Sequence, residues 1–231
     1  MSMVLNVSRD VQRTRPVQLG AIGGGDPRAL SSISVRIRAG KGETVFSEGE
    51  EAAYSYKVVS GGVRLCKYTQ DGRRQIADFA LPGDHFGYQG AERHTHTAEA
   101  IGDTIVLAYP NGQLERLGEM IPDFGKYVRA LLTQSLLSAQ QHLVVLGRQS
   151  AKERVVSFLL LLAERSDACP GDRLELPMSR QDIADHLGLT IETVSRMIGE
   201  LKREGLIVVP NLTQVILKNL PALRALTEGA E

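Results

Sequence analysis

The chain is expected to be an α+β protein: a small β roll, one long helix and a carboxy-terminal winged helix-turn-helix. Three observations carry this expectation. Short alternating segments broken by turn residues recur from residue 31 to 110, the pattern of a small barrel or roll. A helical apolar repeat then runs over 123–146. Residues 178–207 read as two short helices joined by a tight turn. The expected division is a poorly ordered tail over 1–28, a roll over 29–122, a helix over 123–147 and a winged domain over 148–231.

The tail is polar and carries Gly23, Gly24 and Gly25. Strands are expected over 56–59, 62–68, 74–79 and 104–108, with Asp71-Gly72 as a tight-hairpin signal. A short helix over 111–120 should end near Pro122. The long helix carries two apolar stripes. Phe124, Tyr127 and Leu131 make one; Val128, Leu132, Leu136, Ala139, Leu143 and Leu146 make the other. One stripe can cover the roll. The second needs another partner, and a twin helix in a homodimer is the simplest; one broad core face on a monomer is the alternative. Gly147 is expected to break this helix, and Ser150 with Glu153 to open the next, over 151–165, by a capping box. A loop over 167–172, a strand over 173–176 and two strands over 207–209 and 214–217 complete the winged domain.

Within 178–207, Ser179 and Asp182 are placed to cap a helix start. Ile183, Ala184 and Leu187 face inward, Gly188 suits the left-handed turn that stops a helix, and Thr190 can cap the second helix. There Val194, Ile198 and Leu201 form the buried stripe. The opposite edge carries Ile191, Glu192, Ser195 and Arg196. Those residue types suit the edges of base pairs. Arginine donates two hydrogen bonds to guanine, glutamate accepts from cytosine, and isoleucine offers apolar contact to a thymine methyl. Arg196 is therefore expected on guanine, Glu192 on the complementary cytosine and Ile191 on thymine, with Ser195 beside them at the base edges. Ser179, Arg180, Thr190, Thr193 and Lys202 are expected against phosphate. Glu192 and Arg196 stand one helical turn apart and can pair; a solvated surface salt bridge is the competing reading.

The 27 basic and 27 acidic residues balance, which argues against non-specific polyanion binding but leaves room for a local patch. Two cysteines, Cys66 and Cys169, fit a reduced cytoplasmic protein rather than a disulfide scaffold. No apolar run is long enough to span a bilayer, so no membrane partner is expected.

After about residue 25, the chain resembles the Crp/Fnr family of bacterial transcription regulators. Gly49, Gly62, Gly83 and Gly87 match the glycine pattern of its cyclic-nucleotide-binding-like jelly roll, and Glu192, Ser195 and Arg196 match the Fnr branch, whose FixK-like group the surrounding residues resemble. Ile191 stands where the Crp branch has arginine. The resemblance implies a double-stranded TTGA…TCAA-type operator, RNA polymerase as a partner, and an activator that works without a bound effector. The family's nucleotide site has a glutamate after Phe-Gly and an arginine beside Ser/Thr. Here Tyr88 and Gln89 follow Phe86-Gly87, and Arg93 lies outside the expected spacing. A cyclic-nucleotide-responsive or redox-responsive regulator is the nearer alternative. An iron–sulfur cluster is excluded by the cysteine count. A different class, a cupin-like metal enzyme, would use His94 and His96; surface histidines are the plainer reading. Haem on His85, His94 or His96 has no supporting context. No catalytic, metal or cofactor residues are therefore expected.

Overall fold

The computed structural model describes residues 30, 33–88, 92–166 and 173–228. The expected tail, Gln89, and the loop holding Cys169 lie outside the described residues.

Eight strands form the roll: β1 Val35–Ala39, β2 Thr44–Phe46, β3 Tyr54–Ser60, β4 Val63–Tyr68, β5 Arg74–Ala80, β6 His85–Phe86, β7 Thr97–Ala100 and β8 Thr104–Pro110. They make two antiparallel four-stranded sheets, ordered β1-β8-β3-β6 and β2-β7-β4-β5. Inward residues of both sheets, among them Phe46, Val58, Val63, Phe86 and Val106, fill the space between them. Asp71-Gly72 does lie in the β4–β5 hairpin, but in a longer turn than a two-residue loop, with Tyr68 paired to Arg74 across it. At Gly61, where φ is +81°, a side chain would drive a Cβ to 2.4 Å from the Asp103 carbonyl, so only glycine fits.

Helix α1, Asn111–Met120, leads into α2, Pro122–Arg148. Gly147 does not break α2; the chain leaves the helix at Gln149. An exposed glycine in a helix costs only about 1 kcal/mol, too little to end one this long. Phe124 and Tyr127 bury against the roll, and Leu131 joins them. Of the second stripe, Leu132, Leu136 and Leu143 are exposed, the last two by 59% and 69%, and Ala139 is exposed as well. Val128 departs from the expectation by packing with Phe124 and Tyr127 under the roll. Leu146 is half-buried beside the Gly188 turn. Val144, 60% exposed, extends the outer face instead.

Helix α3, Ala151–Arg165, opens with the expected Ser150–Glu153 capping box. Next come β9 Arg173–Glu175, α4 Arg180–Leu187, α5 Ile191–Arg203, β10 Ile207–Asn211 and β11 Gln214–Leu217. The three strands form one antiparallel sheet, β10-β11-β9. Pro210 lies inside β10 rather than in the turn, as an edge strand permits. A helix not anticipated from the sequence, α6 Leu220–Glu228, closes the domain, with Leu223 fully buried. The carboxy-terminal core does not stop at the domain boundary. It joins α3, α4 and α5 to Cys66, Ile76, Phe79 and Ile101 of the roll in one apolar cluster.

Candidate nucleic-acid interface

Two capped helices set the shape of the interface. Ser179 Oγ accepts the Asp182 N–H at 3.1 Å, while Asp182 Oδ2 accepts the Ser179 N–H at 3.0 Å and its hydroxyl at 2.7 Å. At the far end Gly188 adopts φ +62°, and the chain turns at once into α5. Thr190 caps α5, its Oγ1 accepting the Thr193 N–H at 3.2 Å. Val194, Ile198 and Leu201 bury one side of α5 as expected, and Met197 is buried with them.

That burial fixes which edge faces outward. Ile191, Glu192, Ser195 and Arg196 are all exposed along α5, and Lys202 and Arg203 are exposed in its last turn. No ion pair among the described residues joins Glu192 to Arg196, so the pairing their spacing permits is not made. Its own backbone N–H and the Thr190 hydroxyl hold the Glu192 carboxyl below its usual range, so at neutral pH it is an acceptor only. Ser179 and Thr190 are exposed, while Thr193 is half-buried. Arg180 is also half-buried. Burial pulls its pKa down, and its Nη1 is enclosed without a partner. The wing beside α5 is shaped by Asn211 Oδ1, which accepts from the Thr213 N–H at 2.9 Å and hydroxyl at 3.0 Å and leaves Leu212 projecting at the tip.

The contacts that hold α4 come from residues distant in the chain and leave no local signal in the sequence. Asp182 caps the helix start as expected, but it is also 3% exposed and accepts from Arg64 Nη1 at 2.9 Å and Arg74 Nη2 at 2.7 Å. Burial pushes its carboxyl up, but the Ser179 hydrogen bonds and the two arginines outweigh this and hold it low. His186 is buried as well, stacked on His142 of α2 at 4.2 Å between ring centroids, with Nδ1 at 3.1 Å from the Ile76 carbonyl. Burial and the neighbouring His142 pull its pKa down to about 3. Arg154 of α3 donates to three carbonyls, of Leu146, Gln149 and Leu187.

The other candidate sites fare differently. His94 is not a surface histidine. It is buried and stacked on Phe46 at 3.6 Å, within a cluster that includes Tyr56 and Phe86. His96 is half-buried with Nδ1 on the Thr95 hydroxyl. Among the described residues no three His, Cys, Asp or Glu side chains converge as metal ligands. Burial, with Glu99 close by, pushes the Cys66 thiol up to about 11. A cavity of about 260 Å³ lies between the roll and α2. Arg93 does not line it; its guanidinium binds the Gly49 carbonyl. Among the described residues the one arginine that does, Arg165, is taken up by Asp78, Asp84 and the Phe79 carbonyl. His85 also lines the cavity, on the Tyr127 hydroxyl at 3.1 Å, and burial lowers its pKa to about 4. No helix among the described residues is long and apolar enough to cross a membrane.

Residues 153–226 match the family model described as a Crp-like helix-turn-helix domain, and residues 36–120 match the cyclic nucleotide-binding domain. The nitrogen fixation regulation protein FixK of Azorhizobium caulinodans is 44% identical over 227 residues, covering 97% of this chain and 87% of the relative. The transcriptional activatory protein AadR of Rhodopseudomonas palustris is 41% identical over 192 residues, 82% of this chain and 80% of its own length. Among solved structures, FixK2 from Bradyrhizobium japonicum superposes with a TM-score of 0.80 at 40% identity, covering 84% of this chain and 97% of that one.

Proposed function

The chain belongs to the Crp/Fnr family of DNA-binding transcription regulators, with FixK-like relatives, and on that footing we propose that it is a cytoplasmic, effector-free activator that reads a TTGA-N6-TCAA-like palindrome as a homodimer and contacts RNA polymerase. The observation that carries the reading is the exposed edge of α5. Ile191, Glu192, Ser195 and Arg196 stand together there, backed by a fully buried stripe. Arg196 contacts guanine, Glu192 the complementary cytosine, and Ser195 and Ile191 the thymines. Ser179, Arg180, Thr190, Thr193 and Lys202 serve the backbone. Pairing of α2 with its twin through Leu132, Leu136, Ala139 and Leu143 sets two readers about one duplex turn apart.

Effector independence is supported by the cavity's lining. A cyclic nucleotide brings a phosphate anion that needs a positioned guanidinium, and Arg165 is already spent on two carboxylates. Selection of bound sequences from a random duplex pool, with and without cyclic AMP, tests the whole reading. A TTGA/TCAA palindrome should emerge equally in both arms. Enrichment of a lone half-site would remove the dimer, enrichment only with cyclic AMP would remove effector independence, and no enrichment would remove the reader.

A further inference from the structure

We propose that Arg64 and Arg74 of the roll are positioning residues of the DNA reader: by gripping α4 they fix the direction in which α5 projects, and so the half-site spacing that a dimer accepts. The inference rests on the dimeric reading above.

Asp182 and Asp185 lie three residues apart on α4, on one face. Arg74 Nη2 is 2.7 Å from Asp182 Oδ1 and 2.7 Å from Asp185 Oδ2, and its Nε adds a bond of 2.8 Å to Asp185. Arg64 Nη1 reaches the same Asp182 Oδ1, at 2.9 Å. The roll holds Arg64 in place before it meets α4. Glu99 Oε2 accepts from its Nε and Nη2 at 2.9 and 2.8 Å, and the Tyr68 hydroxyl donates to Glu99 Oε1 at 2.6 Å. The side chains of both arginines, Asp182, Asp185 and Glu99 are each less than a fifth exposed. Arg64 and Arg74 are therefore committed to carboxylates and not offered to DNA.

The roll also grips the other end of α4. Ile76 O accepts from His186 Nδ1, and Gln75 Nε2 donates to the His186 carbonyl at 3.3 Å. A helix held at both ends has one orientation, and only Gly188, Leu189 and Thr190 separate it from α5. The covalent link between the dimer helix and the reader is short and is tied by Arg154 to the end of α2. Gln149 and Ser150 alone join α2 to α3, both in extended conformation. With the arginine grip released, α4 is left on the Arg154 bonds, the His142–His186 stack and the shared apolar cluster, so its direction against the paired α2 is less tightly set.

The test uses full-length protein and duplexes carrying TTGA and TCAA halves at spacers of about four to eight base pairs. Affinity is measured at each spacer for the parent, Arg74→Met, Arg64→Met and Asp185→Asn. The parent should prefer one spacer. Arg74→Met and Arg64→Met should narrow that preference about tenfold (about 1.4 kcal/mol), while base preference within each half-site stays the same. Asp185→Asn leaves the Ser179–Asp182 cap intact and carries the test if the arginine variants do not fold; it should narrow the preference in the same direction. Weaker binding with an unchanged ratio between spacers would assign the arginines to stability alone and overturn the inference. If the parent itself bound none of these duplexes, the proposed function would fall, and the inference with it.

Discussion

Arg154 is the most exacting place to perturb this molecule without touching its reading edge. Its guanidinium donates to the carbonyls of Leu146 at 2.7 Å, Gln149 at 3.0 Å and Leu187 at 3.0 Å, joining the ends of α2 and α4 to α3. Three bonds from an ionised donor, at about 1.5–3 kcal/mol each, set a ceiling of roughly 4–9 kcal/mol. Leu146 and Gln149 are half-buried, so water can replace the guanidinium there, whereas Leu187 is fully buried and its carbonyl loses its partner outright. The expected loss in Arg154→Met is therefore about 2–4 kcal/mol. At roughly 2–4 °C per kcal/mol for a chain of this size, thermal unfolding followed by circular dichroism should show Tm lowered by about 4–16 °C. Arg154→Lys should recover less than half of this, because one ammonium cannot reach three carbonyls lying in different directions. A Met variant melting within about 2 °C of the parent, or a Lys variant fully restored, would refute the bridging role and leave only a cation near helix ends.

Other outcomes follow from the same geometry. Arg196→Ala should cost about 1–3 kcal/mol at the guanine position and flatten preference there, whereas Lys202→Ala should weaken all sequences alike and reduce the salt slope by about one; competition binding over a salt series separates the two. Leu136→Asp combined with Leu143→Asp should shift the protein to monomer in sedimentation, with its melting little changed, since both side chains are exposed in a single chain. His186 stays neutral in the fold down to about pH 3, while the unfolded chain takes up a proton near 6.5. The unfolded state therefore binds more protons between those values, and stability is full above pH 6.5 and falls on acidification by about 1.4 kcal/mol per pH unit. Asp182, held low in the fold, acts in the same direction at lower pH. Tm should fall between pH 6.5 and 5.5, and His186→Phe should make that fall shallower by one group's share while the share of His85, lowered to about 4, remains.

The helix-turn-helix was readable because its determinants are local. Ser179, Gly188 and Thr190 each act within a few residues, and the apolar stripe of α5 repeats along one helix. The turns of the roll and the covering stripe of α2 were readable for the same reason. What escaped depends on partners distant in the chain. Asp182 looks like an ordinary helix-start acid until Arg64, 118 residues away, is brought against it. His94 looks like a surface histidine until the roll closes Phe46 over it. Helix α6 did leave a local trace: the Asn219 side chain caps it, accepting the Ala222 N–H at 3.1 Å, and Leu220, Leu223 and Leu226 recur at helical spacing. Val128 went astray because a residue at the border of two stripes can serve either, and only the packing decides between them.

The apolar cluster that runs from Phe79 and Ile76 into α3 and α4 bears on engineering. The two segments that match separate family descriptions are not interchangeable cassettes. Transplanting 153–226 onto a foreign sensor would carry across one half of a seam and leave its counterpart behind, with Phe158, His186 and two aspartates facing a surface never shaped for them. A working chimera has to bring the β4–β5 hairpin along.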